Sequence, residues 1–203
     1  MNYDLLNNNR ASLSGVIETE PAFSHEVFGE NFYETFIRVN RLSEQTDLLP
    51  MTISEHLIRD YDIKRGNMVS LLGQFRSYNK IEGDKSKLML TVFAREIVPF
   101  DENVNPNTIE LNGYVCKPAM YRTTPFKREI CDMLIAVNRA YNKSDYIPCI
   151  SWGRNARFAK NLQVGERISI EGRIQSREYQ KVLENGDIVI KTAYEVSVSR
   201  IIV

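Results

Sequence analysis

The feature that most constrains this chain is an internal repeat. Phe36-Ile-Arg-Val-Asn-Arg41 matches Leu134-Ile-Ala-Val-Asn-Arg139, 98 residues later. Asp47-Leu-Leu-Pro50 matches Asp145-Tyr-Ile-Pro148, and Leu13-Ser-Gly15 matches Leu111-Asn-Gly113, at the same offset. Gly66 and Gly73 match Gly165 and Gly172 at 99, and Leu90-Thr-Val-Phe-Ala matches Tyr194-Glu-Val-Ser-Val at 104. An offset that grows only slightly describes two copies of one unit with short insertions. Pro99-Phe-Asp-Glu-Asn-Val-Asn-Pro-Asn107 has loop composition and separates them. Two domains of about 100 residues are expected, 1–103 and 104–203, each large enough for its own core.

Each copy reads as mostly strands. In the second, 108–116, 129–141, 146–152, 166–178 and 191–202 are rich in Ile, Leu, Val and Tyr and are separated by turn-formers. Within 167–179, Ile168, Ile170 and Ile174 alternate with Ser169, Arg173, Arg177 and Tyr179, so one face is core and the other polar. Arg154–Leu162 predicts a short helix with Ala156, Phe158 and Ala159 inward, and Gly165 following its end. Glu184-Asn-Gly-Asp187 predicts the turn of a hairpin arm. Five strands with a helix between the third and fourth match an all-β OB-type barrel, here in tandem, although the pattern alone does not choose this over another small barrel.

Charge separates the copies. Residues 1–105 hold 11 Lys/Arg against 16 Asp/Glu, and residues 106–203 hold 15 against 10. Only the second half has the field of a surface that meets a polyanion.

The second copy resembles the bacterial single-stranded-DNA-binding protein family. Ile109–Gly113, Leu134–Arg139, Asp145–Arg154, Val164–Tyr179 and Tyr194–Val196 carry the likeness, in order and spacing. The resemblance implies an OB fold that binds single strands with little sequence preference, without catalysis, in replication, recombination or repair. It places stacking aromatics at Tyr141, Tyr146, Trp152 and Tyr179. Such binders need aromatic faces for bases and cations along the phosphate path. Arg154, Arg173 and Arg177 are the cations best placed by sequence, with Arg139, Lys143 and Lys181 near strand ends. Tyr146 and Trp152 share parity on one strand and can face one groove.

The first copy resembles the same domain in degenerate form. At the positions of Tyr141, Tyr146, Trp152 and Tyr179 it has Ser43, Leu48, Ser54 and Lys80, although Tyr78 lies close by. It is expected to bind nucleic acid poorly and to serve as structure or interface. Family members usually assemble four OB domains, so a homodimer of this tandem chain is expected. The chain stops at Ser199-Arg-Ile-Ile-Val203, still strand-like, so recruitment of other proteins through an acidic tail is not expected.

Other classes find less support. No G-x-x-x-x-G-K, H-E-x-x-H or G-x-S-x-G is present, so an enzyme is not expected. Three cysteines without a C-x-x-C, and only two histidines, suggest neither a metal site nor a disulfide framework, and no cofactor is implied. The longest apolar run is Met133–Val137 and the first ten residues lack an apolar stretch, so no membrane span or secretory leader is expected and the chain suits the cytoplasm. Two readings stay open beside DNA binding: a protein-interaction module of a replication or restart complex, and an RNA-binding OB protein.

Overall fold

The structure, a computed structural model, describes residues 7–83, 85–183 and 185–202, the side chains of Glu82 and Lys85 excepted. Residues 1–6, Val203 and Glu184, the first residue of the predicted arm turn, lie outside the described residues. The first repeat comprises β1 (Asn9–Ile17), β2 (Ala22–Val27), β3 (Glu30–Asn40), β4 (Thr46–Ser54), α1 (Glu55–Asp60), β5 (Met68–Glu82) and β6 (Lys85–Val98). The second comprises β7 (Asn107–Val115), β8 (Met120–Thr123), β9 (Glu129–Arg139), β10 (Lys143–Trp152), α2 (Gly153–Ala159), β11 (Arg167–Val182) and β12 (Ile188–Ile202).

Each repeat closes into a barrel in the same way. β1 pairs antiparallel with β3 and β5, β5 with β6, β3 with β4, and β4 runs parallel to β6. β7, β9, β10, β11 and β12 repeat this pattern, including the parallel pair β10–β12. With the helix between the third and fourth barrel strands, these are two tandem OB folds. The predicted alternation on β11 holds: Ile168, Ile170 and Ile174 are buried.

Closure depends on glycine at two equivalent points. A Cβ on Gly15 would collide with the Arg38 carbonyl, and one on Gly113 with the Ala136 carbonyl. These are the sites where the first barrel strand crosses the second, and any side chain would pry the strands apart. Asn9 and Asn107 stitch the opposite edge. Asn9 Nδ2 donates to Phe75 O at 2.8 Å and its Oδ1 accepts from Phe75 N at 2.9 Å. Asn107 makes the same two bonds with Ile174, at 2.7 and 2.9 Å.

The structure corrects the sequence reading in several places. A short, mostly exposed strand, β8, precedes β9, and β2 is its counterpart in the first repeat. Four residues, of which only Tyr121 is partly buried, give no hydrophobic alternation by which to predict them. The strand expected over 129–141 ends at Arg139, because Tyr141 and Asn142 take positive φ in the turn to β10. β10 correspondingly starts at Lys143 rather than 146. The helix spans Gly153–Ala159, with Ala156 and Ala159 buried but Phe158 exposed. Two small residues already fill its inward face.

The barrels join through their first strands. β1 pairs antiparallel with β7, Ala11 opposite Ile109, so the two barrels share one 12-stranded sheet. Ala11 and Ile109 are themselves repeat equivalents. The junction is therefore a pseudo-twofold interface, the geometry of a symmetric dimer built within one chain. Ser14 N donates to Pro106 O at 2.8 Å and Asn112 N to Asn8 O at 2.7 Å, one bond on each side of the axis.

Candidate nucleic-acid interface

Two buried aspartates clamp the repeats together away from that sheet. Asp47 Oδ1 accepts from Ser176 N at 2.8 Å, and Leu48 N donates to Ser176 Oγ at 3.3 Å. On the other side Asp145 Oδ1 accepts from Ser77 N at 2.8 Å, and Tyr146 N donates to Ser77 Oγ at 2.7 Å. Arg41 forks onto Asp47 with Nε at 2.8 Å and Nη2 at 2.7 Å. That hydrogen bond raises the Arg41 pKa. Its equivalent, Arg139, stands at 3.5 Å from Asp145, with Nε buried and without a hydrogen-bond partner. Burial pushes the Asp145 carboxyl up, against the Ser77 N–H, Arg139 and Arg76, which all pull it down. Arg76 lies over the Phe93 ring at 3.8 Å. Burial first, then repulsion from Arg139 and Arg95, hold its guanidinium down to about 10 despite Asp145.

These clamps divide the predicted cations. Arg139 belongs to the Asp145 clamp. Arg173 reaches Gln175 with Nη2 at 3.1 Å, its Nε is buried without a partner, and burial and then Arg41 lower its pKa beside Asp47. Arg177 is bound to Glu195, Nε to Oε1 at 3.2 Å, and its pKa is raised by that bond. Arg154 in the first turn of α2, Lys143 at the start of β10 and Lys181 on β11 are exposed, and none has a side-chain partner among the described residues.

The four aromatics are all accessible. Tyr141 is 94% exposed at the turn into β10, Tyr146 41% and Trp152 39% on β10, and Tyr179 39% on β11. Tyr146 and Trp152 lie on the same side of β10, six residues or about 20 Å apart, so different bases would meet them. Tyr141, Tyr146 and Trp152, with Lys143 and Arg154, follow one strand and its two ends. Tyr179 and Lys181 stand apart, on the arm formed by β11 and β12.

One group was missed by sequence reasoning. Phe126 is 87% exposed at the tip between β8 and β9, followed by Lys127 and Arg128, whose side chains have no partner among the described residues. An aromatic beside two cations in a loop rich in Thr and Pro was the available signal. Phe28, its equivalent, is fully exposed at the first repeat's tip but is followed by Gly29 and Glu30.

Residues 106–202 match the family model described as Single-strand binding protein family. That match spans nearly the whole second repeat. Single-stranded DNA-binding protein 1 of Staphylococcus aureus (strain COL) is 33% identical over 81 residues, 36% of this chain and 48% of that protein. Single-stranded DNA-binding protein A of Bacillus subtilis (strain 168) is 31% identical over 81 residues, 36% and 47% of the two chains. The chain thus spans about half the length of the curated relatives it matches. The wild-type single-stranded DNA binding protein from Thermus aquaticus superposes over 95% of this chain and 91% of its own, with a TM-score of 0.72 at 15% identity. That likeness extends the shared fold over both repeats. Among the described residues, no helix is long and apolar enough to cross a membrane.

Proposed function

We propose that this chain binds single-stranded DNA with little sequence preference through residues 104–203, protecting it in replication, recombination or repair. The observation that carries the reading is the line Tyr141, Tyr146 and Trp152, accessible on the basic repeat and flanked by Lys143 and Arg154, which have no side-chain partner among the described residues. Aromatic faces stack any base, and cations off the ring plane neutralise phosphates without reading sequence. Tyr179 and Lys181 extend the surface. Arg173, Arg177 and Arg139 support the face from their carboxylate and amide partners rather than as free phosphate ligands.

Residues 1–103 serve as structure and interface, since Leu48 and Ser54 offer no stacking platform there. The chain works as a cytoplasmic homodimer presenting four OB domains, and its task is binding rather than catalysis. A mobility shift with a 40-nucleotide dT strand, challenged with duplex DNA and with single-stranded RNA, tests the reading. Retention against duplex supports it. The RNA competitor reports whether the sugar matters. Absence of any shift at low salt would leave a protein-interaction module as the better account.

A further inference from the structure

The β5–β6 and β11–β12 hairpins run past their own barrels as arms, paired out to Glu82–Lys85 and Val182–Ile188. They cross reciprocally, β5 packing on β10 and β11 on β4. Between them lies a groove of about 950 Å³ that takes residues from both repeats. Its floor includes Pro50 and Pro148, which are repeat equivalents, so the groove straddles the pseudo-twofold axis. Its walls present Tyr78 and Lys87 from the first repeat and Tyr179, Lys181 and Lys191 from the second.

The groove's charge and chemistry favour one class of occupant. Lys87, Lys181 and Lys191 have no side-chain partner among the described residues. Of the two carboxylates in the lining, Glu195 is paired with Arg177 and also accepts from Gln175, and Glu34, which accepts from Ser24 at 2.8 Å, leaves one negative charge against the three lysines. Both tyrosines are partly exposed, with apolar ring surface to offer. Three ammonium groups around two aromatic faces suit a ligand that alternates planar bases with phosphates. The groove shares Tyr179 and Lys181 with the surface described above.

We propose that this inter-arm groove is a single-stranded nucleic-acid path built jointly by the two repeats, in which Tyr78 of the first repeat stacks a base and Lys87 meets a phosphate. The proposal rests on the single-strand reading of the second repeat and deepens it. The first repeat lacks a platform of its own, yet it lends an aromatic and a cation to its neighbour's path.

Full-length Tyr78→Ala, Tyr78→Phe and Lys87→Ala variants, titrated with dT oligonucleotides of 8 to 40 nucleotides at several salt concentrations, test this. On long strands Tyr78→Ala should bind about 5- to 150-fold more weakly, the range for losing one stacked base. Tyr78→Phe, which keeps the ring, should recover most of that loss. Lys87→Ala should flatten the log–log salt slope by about 0.7. The shortest strands, held along Tyr146 and Trp152, should respond to none of the three. If all three variants match wild type in affinity and slope at every length, while Trp152→Ala still weakens binding, the groove proposal fails and the second-repeat reading stands. If the wild-type chain binds no oligonucleotide, both fail.

Discussion

Asp47 and Asp145 reach across the junction to the same backbone position, though only Asp47 is forked by its arginine; their neighbours Leu48 and Tyr146 do not share a chemistry. Each aspartate, buried at the junction, accepts from the backbone of a serine on the other repeat's arm. Each neighbouring residue also sends its backbone N–H to that serine's hydroxyl. Only the side chain beyond the backbone differs, apolar in one repeat and aromatic in the other. The same split recurs at the helix start. Ser54 caps α1, its hydroxyl accepting from Leu57 N at 3.5 Å, whereas Trp152 at the equivalent position makes no side-chain cap bond. Positions facing the frame were kept, and positions facing outward were free to diverge. In the second repeat an outward aromatic stands where a helix cap would add about 1 kcal/mol.

The largest effect should come from breaking what the repeats share. Asp47→Ala strips the Arg41 fork and the Ser176 N–H of their acceptor and leaves a partly buried guanidinium uncompensated. About 3–5 kcal/mol of stability should be lost, read from the midpoint of urea unfolding. Asp145→Ala should cost less, because Arg139 reaches its carboxylate only at 3.5 Å. Equal losses would show that the two clamps are energetically alike despite this difference.

Next comes what they do not share. Tyr146→Ala should lose about 1–3 kcal/mol of single-strand affinity. Leu48→Ala, the equivalent change in the first repeat, should leave affinity unchanged, and a matching loss there would break the comparison. The exchange Trp152→Ser installs the first repeat's residue. Affinity should fall as for a lost stacking ring, while stability shifts by no more than about 1 kcal/mol. A large loss of stability would mean that Trp152 packs rather than presents its ring.

The smallest readout concerns the cysteines, all three of them in the second repeat. Cys131 and Cys149 are buried, and burial raises both thiol pKa values, whereas Cys116 is partly accessible. A thiol reagent at pH 8 should therefore titrate one group in the native chain and three after unfolding. Rapid reaction of a second thiol would show a barrel more open than its packing implies.

Much of the frame was legible because it repeats. The 98-residue offset marked two copies of one unit, which recur as two barrels with the same strand pairing, and the alternation of Ile168, Ile170 and Ile174 gave the inward face of β11. Asp47-x-x-Pro50 and Asp145-x-x-Pro148 were visible as a repeat, but their clamping role was not. It depends on Ser176 and Ser77, 129 and 68 residues distant, which no local pattern connects. For the same reason Arg139 and Arg173 read as candidate phosphate contacts from sequence, although Arg139 stands beside the buried Asp145 and Arg173 reaches Gln175. The short β8 and the Phe126 tip escaped because a single core-facing residue, Tyr121, is too few to impose a period and the tip is exposed. The inter-arm groove escaped because it exists only once two hairpins cross.

The most direct test of the central claim, that the second repeat is a single-strand interface, is a titration of Trp152 fluorescence with poly(dT) at several salt concentrations. Trp152 is the only tryptophan, so the signal comes from the proposed surface alone. The account predicts saturable quenching, with log affinity falling against log salt at a slope of about −2 or steeper, because three cations without a side-chain partner among the described residues each contribute about −0.7. Unchanged fluorescence at low salt, with no shift of the strand's mobility, would contradict it.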